Sequence, residues 1–167
     1  SGNYNTYGVL YNWPAAMNVC PDGWKLPSDE DWKSLEIYLG MTLSEADQIG
    51  LRGTNEGSKL AGNNSLWLDG ALDSNGSFGT SGFNALPGGY RSNTGSNLLH
   101  SYSIWWISTA CGDKTPWWRL IDYSLTGIIR DAYAFTSDHG FSVRCVKENS
   151  TEQSISLTSG WNILSMA

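Results

Sequence analysis

The chain has 167 residues, 40% of them apolar and only 16% charged, with 10 Lys and Arg against 16 Asp and Glu for a net charge of -6. That balance, with no basic stripe, excludes a phosphate backbone as the expected partner, because nucleic-acid binding draws on clustered cations. No run of about 18 apolar residues is present to span a bilayer, and the length suits one domain with a real core better than two.

In chain order, Tyr7 to Trp13 reads as a first strand, closed by Asn12-Trp13-Pro14. Ser28-Asp29-Glu30-Asp31 then forms a capping box, in which the Ser28 hydroxyl accepts from the Asp31 amide and the acidic residues complement the helix dipole. Trp32, Leu35 and Leu39 fall on one face of the helix that follows, and Gly40 is placed to end it. A shorter helix is expected over Ser44 to Ile49, and a third from Thr54 to near Gly62. From Asn63 to Gly82 the chain is Gly, Asn, Ser and Asp around Trp67 and Phe78, which describes a long ordered loop with anchoring aromatics. Four short strands follow at hairpin spacing: Trp105 to Ser108, Trp117 to Tyr123, Gly127 to Phe135 and Phe141 to Lys147. Helices first and an antiparallel meander afterwards give an α+β class. Residues 1–148 are expected to form the domain, and residues 149–167 a linker with the cut-short start of a following segment.

Of the three cysteines, Cys20 and Cys145 each sit in an apolar frame near opposite ends of the domain. Pairing them would staple its first and last elements and leave Cys111 over, whereas a cytosolic protein would keep all three as reduced thiols.

The segments Gly8-Val9-Leu10-Tyr11-Asn12-Trp13, Val19-Cys20-Pro21-Asp22-Gly23-Trp24-Lys25-Leu26-Pro27, Phe83-Asn84-Ala85-Leu86-Pro87-Gly88-Gly89-Tyr90-Arg91, Trp105-Trp106-Ile107-Ser108-Thr109 and Gly140-Phe141-Ser142-Val143-Arg144-Cys145-Val146 occur in that order. In this the chain resembles the Fibrobacter succinogenes major paralogous (FISUMP) domain family. The resemblance implies a fold like that of C-type lectins and formylglycine-generating enzymes, with two or three N-terminal helices and a C-terminal antiparallel sheet. It does not by itself assign a function, because one fold hosts many.

The raw material for catalysis is thin. His100 and His139 are the only histidines, and neither Cys-x-x-Cys nor His-x-x-x-His spacing occurs, so no metal site is expected. There is no nucleophile-elbow sequence. Asp22, Asp29, Glu30 and Asp122 could pair for glycoside hydrolysis, but most of them fall in caps and turns, where carboxylates are usually solvated. The formylglycine-generating relatives use a cysteine pair, and with Cys20 and Cys145 assigned to a disulfide, Cys111 is left without a redox partner. Calcium-dependent lectins carry Glu-Pro-Asn or Gln-Pro-Asp followed by Trp-Asn-Asp, and none of the five prolines stands in such a triplet. No cofactor is expected, although a structural Ca²⁺ held by loop oxygens stays open.

The remaining candidate is a surface built from His100 to Ile104 and Leu120 to His139. Its tract departs from the Asn, Tyr and Ser runs of related sequences toward Leu, Ile, Asp, Ala and His. Such scrambling resembles the adenine-directed changes in variable proteins of diversity-generating retroelements, which have C-type lectin-like folds. Alternation sets Leu120, Asp122 and Ser124 against Ile121, Tyr123 and Leu125, and Ile129, Asp131 and Tyr133 against Ile128, Arg130 and Ala132. The expected contact residues are Leu99, His100, Tyr102, Ile104, Cys111, Trp118, Leu120, Asp122, Ser124, Leu125, Ile129, Asp131, Tyr133, Ala134, Asp138 and His139, with Trp118 exposed and Trp105, Trp106 and Trp117 buried as framework. The leading expectation is a non-catalytic recognition domain, secreted or on the cell surface, that binds a protein or other macromolecule. A carbohydrate-binding or adhesion module, with Trp118 and Tyr133 stacked on sugar rings, is the alternative. A cysteine-dependent oxidase is the third reading.

Overall fold

The structure, a computed structural model, describes residues 2–112, 115–148 and 163–165. The N-terminal segment forms two short helices, α1 (Gly2–Tyr7) and α2 (Trp13–Ala16), which flank the Tyr7–Trp13 stretch expected as a strand. Asn12 caps α2 through its side chain, and Pro14 lies in the first turn, where its missing N–H costs nothing. Only Tyr11 keeps strand character, exchanging both backbone hydrogen bonds with Phe141.

A two-residue strand, β1 (Trp24–Lys25), leads into α3 (Asp29–Leu39), which begins with the expected Ser28–Asp31 capping box and stops at Gly40 with φ 129°. Trp32, Leu35 and Leu39 are buried together, as their spacing requires. Helix α4 (Leu43–Asp47) has its own capping box from Thr42 and Glu45. Strand β2 (Gly50–Arg52) and helix α5 (Glu56–Leu60) follow, then a 3₁₀ turn (Asn64–Leu66) and α6 (Ala71–Ser74) within the loop, whose Trp67 is buried and whose Phe78 packs on the core. Strands β3 (Tyr90–Ser92) and β4 (Gly95–Asn97) make a hairpin. Strands β5 (Tyr102–Cys111), β6 (Thr115–Asp122) and β7 (Ile128–Asp131) form the expected antiparallel meander, joined at its β7 edge by β2 in the order β2-β7-β6-β5.

The last expected strand leaves that meander. Ser142 bonds to β5 through the carbonyl of Ile104 and the amide of Trp106, and the chain then turns into β8 (Arg144–Lys147), which pairs with β1 in a second sheet. Cys145 on β8 is joined to Cys20, with Cα atoms 5.8 Å apart, so the two ends of the domain are covalently tied. Of the segment 149–167, only Ile163–Ser165 lies among the described residues; it forms β9, antiparallel to β8.

Both faces of the four-stranded sheet are covered. Trp105, Ile107, Trp117, Ile121 and Ile128 point toward α3 and α5 and join the larger core cluster. Ile104, Trp106, Trp118 and Leu120 point the other way and pack with Leu26, Phe141, Val143 and Cys145. Between α3 and the sheet lies a buried ion network. Arg130 grips both oxygens of Asp29, Arg119 donates to Asp29 and Glu36 at 2.8 and 2.7 Å, and Arg52 donates to both oxygens of Glu36. Asp29 is therefore not the solvated cap residue that was expected. Burial alone would push its carboxyl pKa up, but the hydrogen bond from Arg130 and the charge of Arg119 outweigh it and hold the group well below the usual carboxylate range.

Candidate functional site

The strand register tests which residues share a face. Tyr102 lies opposite Asp122, Ile104 opposite Leu120, and Trp106 opposite Trp118 on β5 and β6; Leu120 lies opposite Ile129, and Trp118 opposite Asp131, on β6 and β7. All of these side chains therefore project from one surface of the sheet, with Leu51 of β2 beside Ile129 at its margin. Leu120 and Asp122 thus share a surface of the sheet with Ile129 and Asp131.

Access differs within that group, and three expected contact residues are corrected. Ile104 is fully buried, and Trp118 and Leu120 are 3% and 4% exposed, so they belong to the core and not to a displayed surface. The cover is the segment after β7. Phe141 stacks on Trp106 with ring centroids 4.0 Å apart, and Phe135 meets Trp118 edge to face at 5.2 Å. Trp118, expected to be exposed, is sealed beneath that lid, and its indole N–H has no partner among the described residues.

Around this sealed centre the remaining residues form an open rim. Tyr133 is 72% exposed, Ser124, Ala134 and Asp138 are exposed, and Tyr102, Asp122, Leu125, Ile129, Asp131 and His139 are half-buried. Backbone ties fix the rim carboxylates. Asp122 Oδ1 accepts from the amide and hydroxyl of Ser124, and Asp131 Oδ1 accepts from the amides of Ala132 and Tyr133. Asp138 bonds the Thr136 hydroxyl, and this contact holds its pKa below the ordinary value. Burial, then the charge of Asp122, raises the Tyr102 phenol.

Half-buried Cys111, the one free cysteine, lies with its Sγ 3.4 Å from the Tyr133 hydroxyl, and this contact raises the tyrosine pKa. Leu99 and His100 sit in a different setting. His100 Nδ1 lies 2.7 Å from the Leu66 carbonyl and 3.2 Å from the Tyr7 hydroxyl, so the ring ties β5's approach to α1 and the 3₁₀ turn. Leu98 and His100 both hold positive φ, at 55° and 69°, which side chains seldom adopt.

Composition alone did not reveal Leu51, 54% exposed at the margin of this face. Its signal was Gly50, which opens the edge strand β2 with φ 88° just beyond the end of α4 at Asp47. No group of three or more His, Cys, Asp or Glu residues is arranged to hold a metal ion among the described residues.

Residues 1–147 match the model of the Fibrobacter succinogenes major domain, and the chain belongs to that family. No curated protein and no solved structure matches it.

Proposed function

We propose that this domain is a non-catalytic recognition module that presents the rim of its sheet, centred on Asp122, Ile129, Asp131 and Tyr133, to a protein or other macromolecular ligand outside the cytoplasm. The observation that carries the reading is the separation of support from display. The backbone of β5 to β7 is held by two apolar clusters, the Asp29 and Glu36 ion network and the Cys20–Cys145 disulfide, none of which uses the side chains of Asp122, Ser124, Asp131, Tyr133, Ala134 or Asp138; of the rim, Tyr102 and Ile129 pack their inner sides against the smaller cluster. The disulfide favours an oxidising compartment. Tyr133 offers a rigid, exposed ring of the kind that anchors paratopes at low entropic cost.

The experiment is a display library randomised at Asp122, Ser124, Asp131, Tyr133, Ala134 and Asp138 and selected against unrelated proteins. Folded binders with the wild-type disulfide are expected; a library that is largely unfolded, or that yields no binder, contradicts the reading. Retroelement diversification is a narrower form of the same proposal. It requires a neighbouring template repeat that differs from this coding sequence only at adenines, and it requires that Ile104, Trp118 and Leu120 vary within apolar types.

Exposure of the Tyr133 ring also supports the second reading, a glycan-binding module, although buried Trp118 cannot serve as its stacking platform. A polysaccharide array separates the two: saturable binding that Tyr133→Ala abolishes favours the glycan module.

A further inference from the structure

Strand β8 has β1 on one side and β9 on the other, in the order β1-β8-β9. The family match ends at residue 147, the last residue of β8. The strand on its outer edge, Ile163–Ser165, is therefore supplied by sequence that the matched domain does not include. The sheet-rim proposal makes no use of this edge.

Alternation along β8 determines which backbone groups face that edge. The Glu148 amide donates to the Gly23 carbonyl, on the β1 side. In an antiparallel ladder the N–H and C=O of one residue point the same way, and those of the next residue point the opposite way. Counting back from Glu148, Val146 turns its backbone groups to β1, where Lys25 is its register partner, and Cys145 turns its own toward the outer edge. Leu164 is the residue opposite Cys145 there. Cys145 and Leu164 therefore form a hydrogen-bonded pair that exchanges both backbone bonds. Outside the ladders, no backbone hydrogen bond engages Cys145 among the described residues.

Cys145 is fully buried and fixed by its bridge to Cys20, so an N–H and a C=O left unpaired there are costly. Its neighbour Val146 lines a small apolar hollow with Pro27, Trp32, Leu35 and Phe83. An edge of this kind takes an extended, uncharged segment, the main chain supplying the affinity. The chain carries such a segment. From Gln153 to Ala167 the sequence has no charged residue, and Trp161 and Ile163 favour extended backbone. Residues 148–162 separate the two strands, whereas a tight hairpin needs only about two to five residues. The pairing is therefore a docking of one segment on another and is not imposed by a turn.

We infer that the outer edge of β8 is a strand-docking site whose occupant is the chain's own downstream segment Ile163–Ser165, held through the Cys145–Leu164 backbone pair. The docked strand fastens the sequence beyond the family domain to the disulfide-bonded end of the scaffold, and so converts a chain connection into a fixed joint.

The test is NMR of the isotope-labelled full chain, read as Hα–Hα Overhauser contacts and amide hydrogen exchange. Val146 and Ile163 form a non-hydrogen-bonded pair, whose Cα atoms lie about 4.5 Å apart in such ladders, so an Hα–Hα contact between them is expected. The Cys145 amide should exchange slowly. Leu164→Pro removes the donor to the Cys145 carbonyl and should speed exchange of the Cys145 amide about tenfold or more, while the Val146 amide, bonded to β1, keeps its protection. Ser165→Pro, at a position whose N–H faces away from β8, should leave both rates unchanged. The wild-type contact and exchange rates carry the test if Leu164→Pro fails to fold. A missing Val146–Ile163 contact, a fast-exchanging wild-type Cys145 amide, or equal effects of the two proline variants on that amide overturns the proposal. A contact seen only between differently labelled copies in a mixed sample assigns the strand to a second copy and overturns it as well.

Discussion

Asp29 shows how far a single residue's surroundings can depart from its sequence context. In the sequence it opens a helix as one of three acidic residues, and any of them could cap it in solvent. In the fold, α3 turns the Asp29 and Glu36 side chains toward the sheet, where Arg119 and Arg130 stand side by side on β6 and β7. The legible signal was the reverse one: arginines at inward positions of apolar strands, which require buried counter-charges. Asp29→Asn leaves two buried guanidinium groups undercompensated and should cost about 3–5 kcal/mol in denaturant unfolding. The pH dependence follows from the lowered carboxyl pKa. Its contribution is fully present above the unfolded value of about 3.9 and is lost as pH falls from there through the folded value. Wild-type stability should therefore fall steeply below about pH 4, and the Asn variant less so, in melts between pH 5 and 2. At the sheet face, Leu120→Ala should cost about 2–5 kcal/mol as a core truncation, whereas Tyr133→Ala should stay within about 0.5 kcal/mol.

Among the elements, α3 was legible because cap, periodicity and stop signal agreed: Ser28 with Asp31, the Trp32, Leu35 and Leu39 stripe, and Gly40. Ser28→Ala should lower stability by about 1 kcal/mol, measured by chemical denaturation. Strand β6 was found but its exposure was misjudged. Trp117-Trp118-Arg119-Leu120-Ile121 does not alternate, and an unbroken run of large residues marks a strand covered on both faces. Strand β7 does alternate, with Ile128 and Arg130 buried and Ile129 and Asp131 only half so, and the surface opens there. The first segment was misread because Tyr11-Asn12-Trp13 has strand propensity, while the Asn12 cap and Pro14 favour a helical turn. Helix α5 was expected, but not why it contains Gly57: a Cβ there would meet the Gly127 carbonyl oxygen at 2.2 Å. Gly57→Ala should therefore separate α5 from the β6–β7 connection and lower the melting temperature, despite alanine's better helix propensity.

At the scale of the whole molecule, the sulfur bridge links residues 125 apart in sequence, and β1 pairs with β8 beside it. A loop this long makes the bridge worth about 2–5 kcal/mol, so the Cys20→Ser and Cys145→Ser double variant should melt lower by that equivalent. The α+β class and the pairing of the domain ends were readable from composition and motif order. The lid of Phe135 and Phe141 over Trp118 and Trp106 was not, because it joins residues far apart in the chain through packing alone. The account depends on a scaffold whose stability is independent of the polar and exposed side chains of its rim, Asp122, Asp131 and Tyr133 among them. Its most direct test is the thermal melt of one variant carrying Asp122→Ser, Asp131→Ser and Tyr133→Ala together, alongside the single variant Leu120→Ala. The melting temperature of the combined variant should stay within about 5 °C of wild type while Leu120→Ala falls further. A combined variant that unfolds as readily as Leu120→Ala would show that the rim is structural and contradict the account.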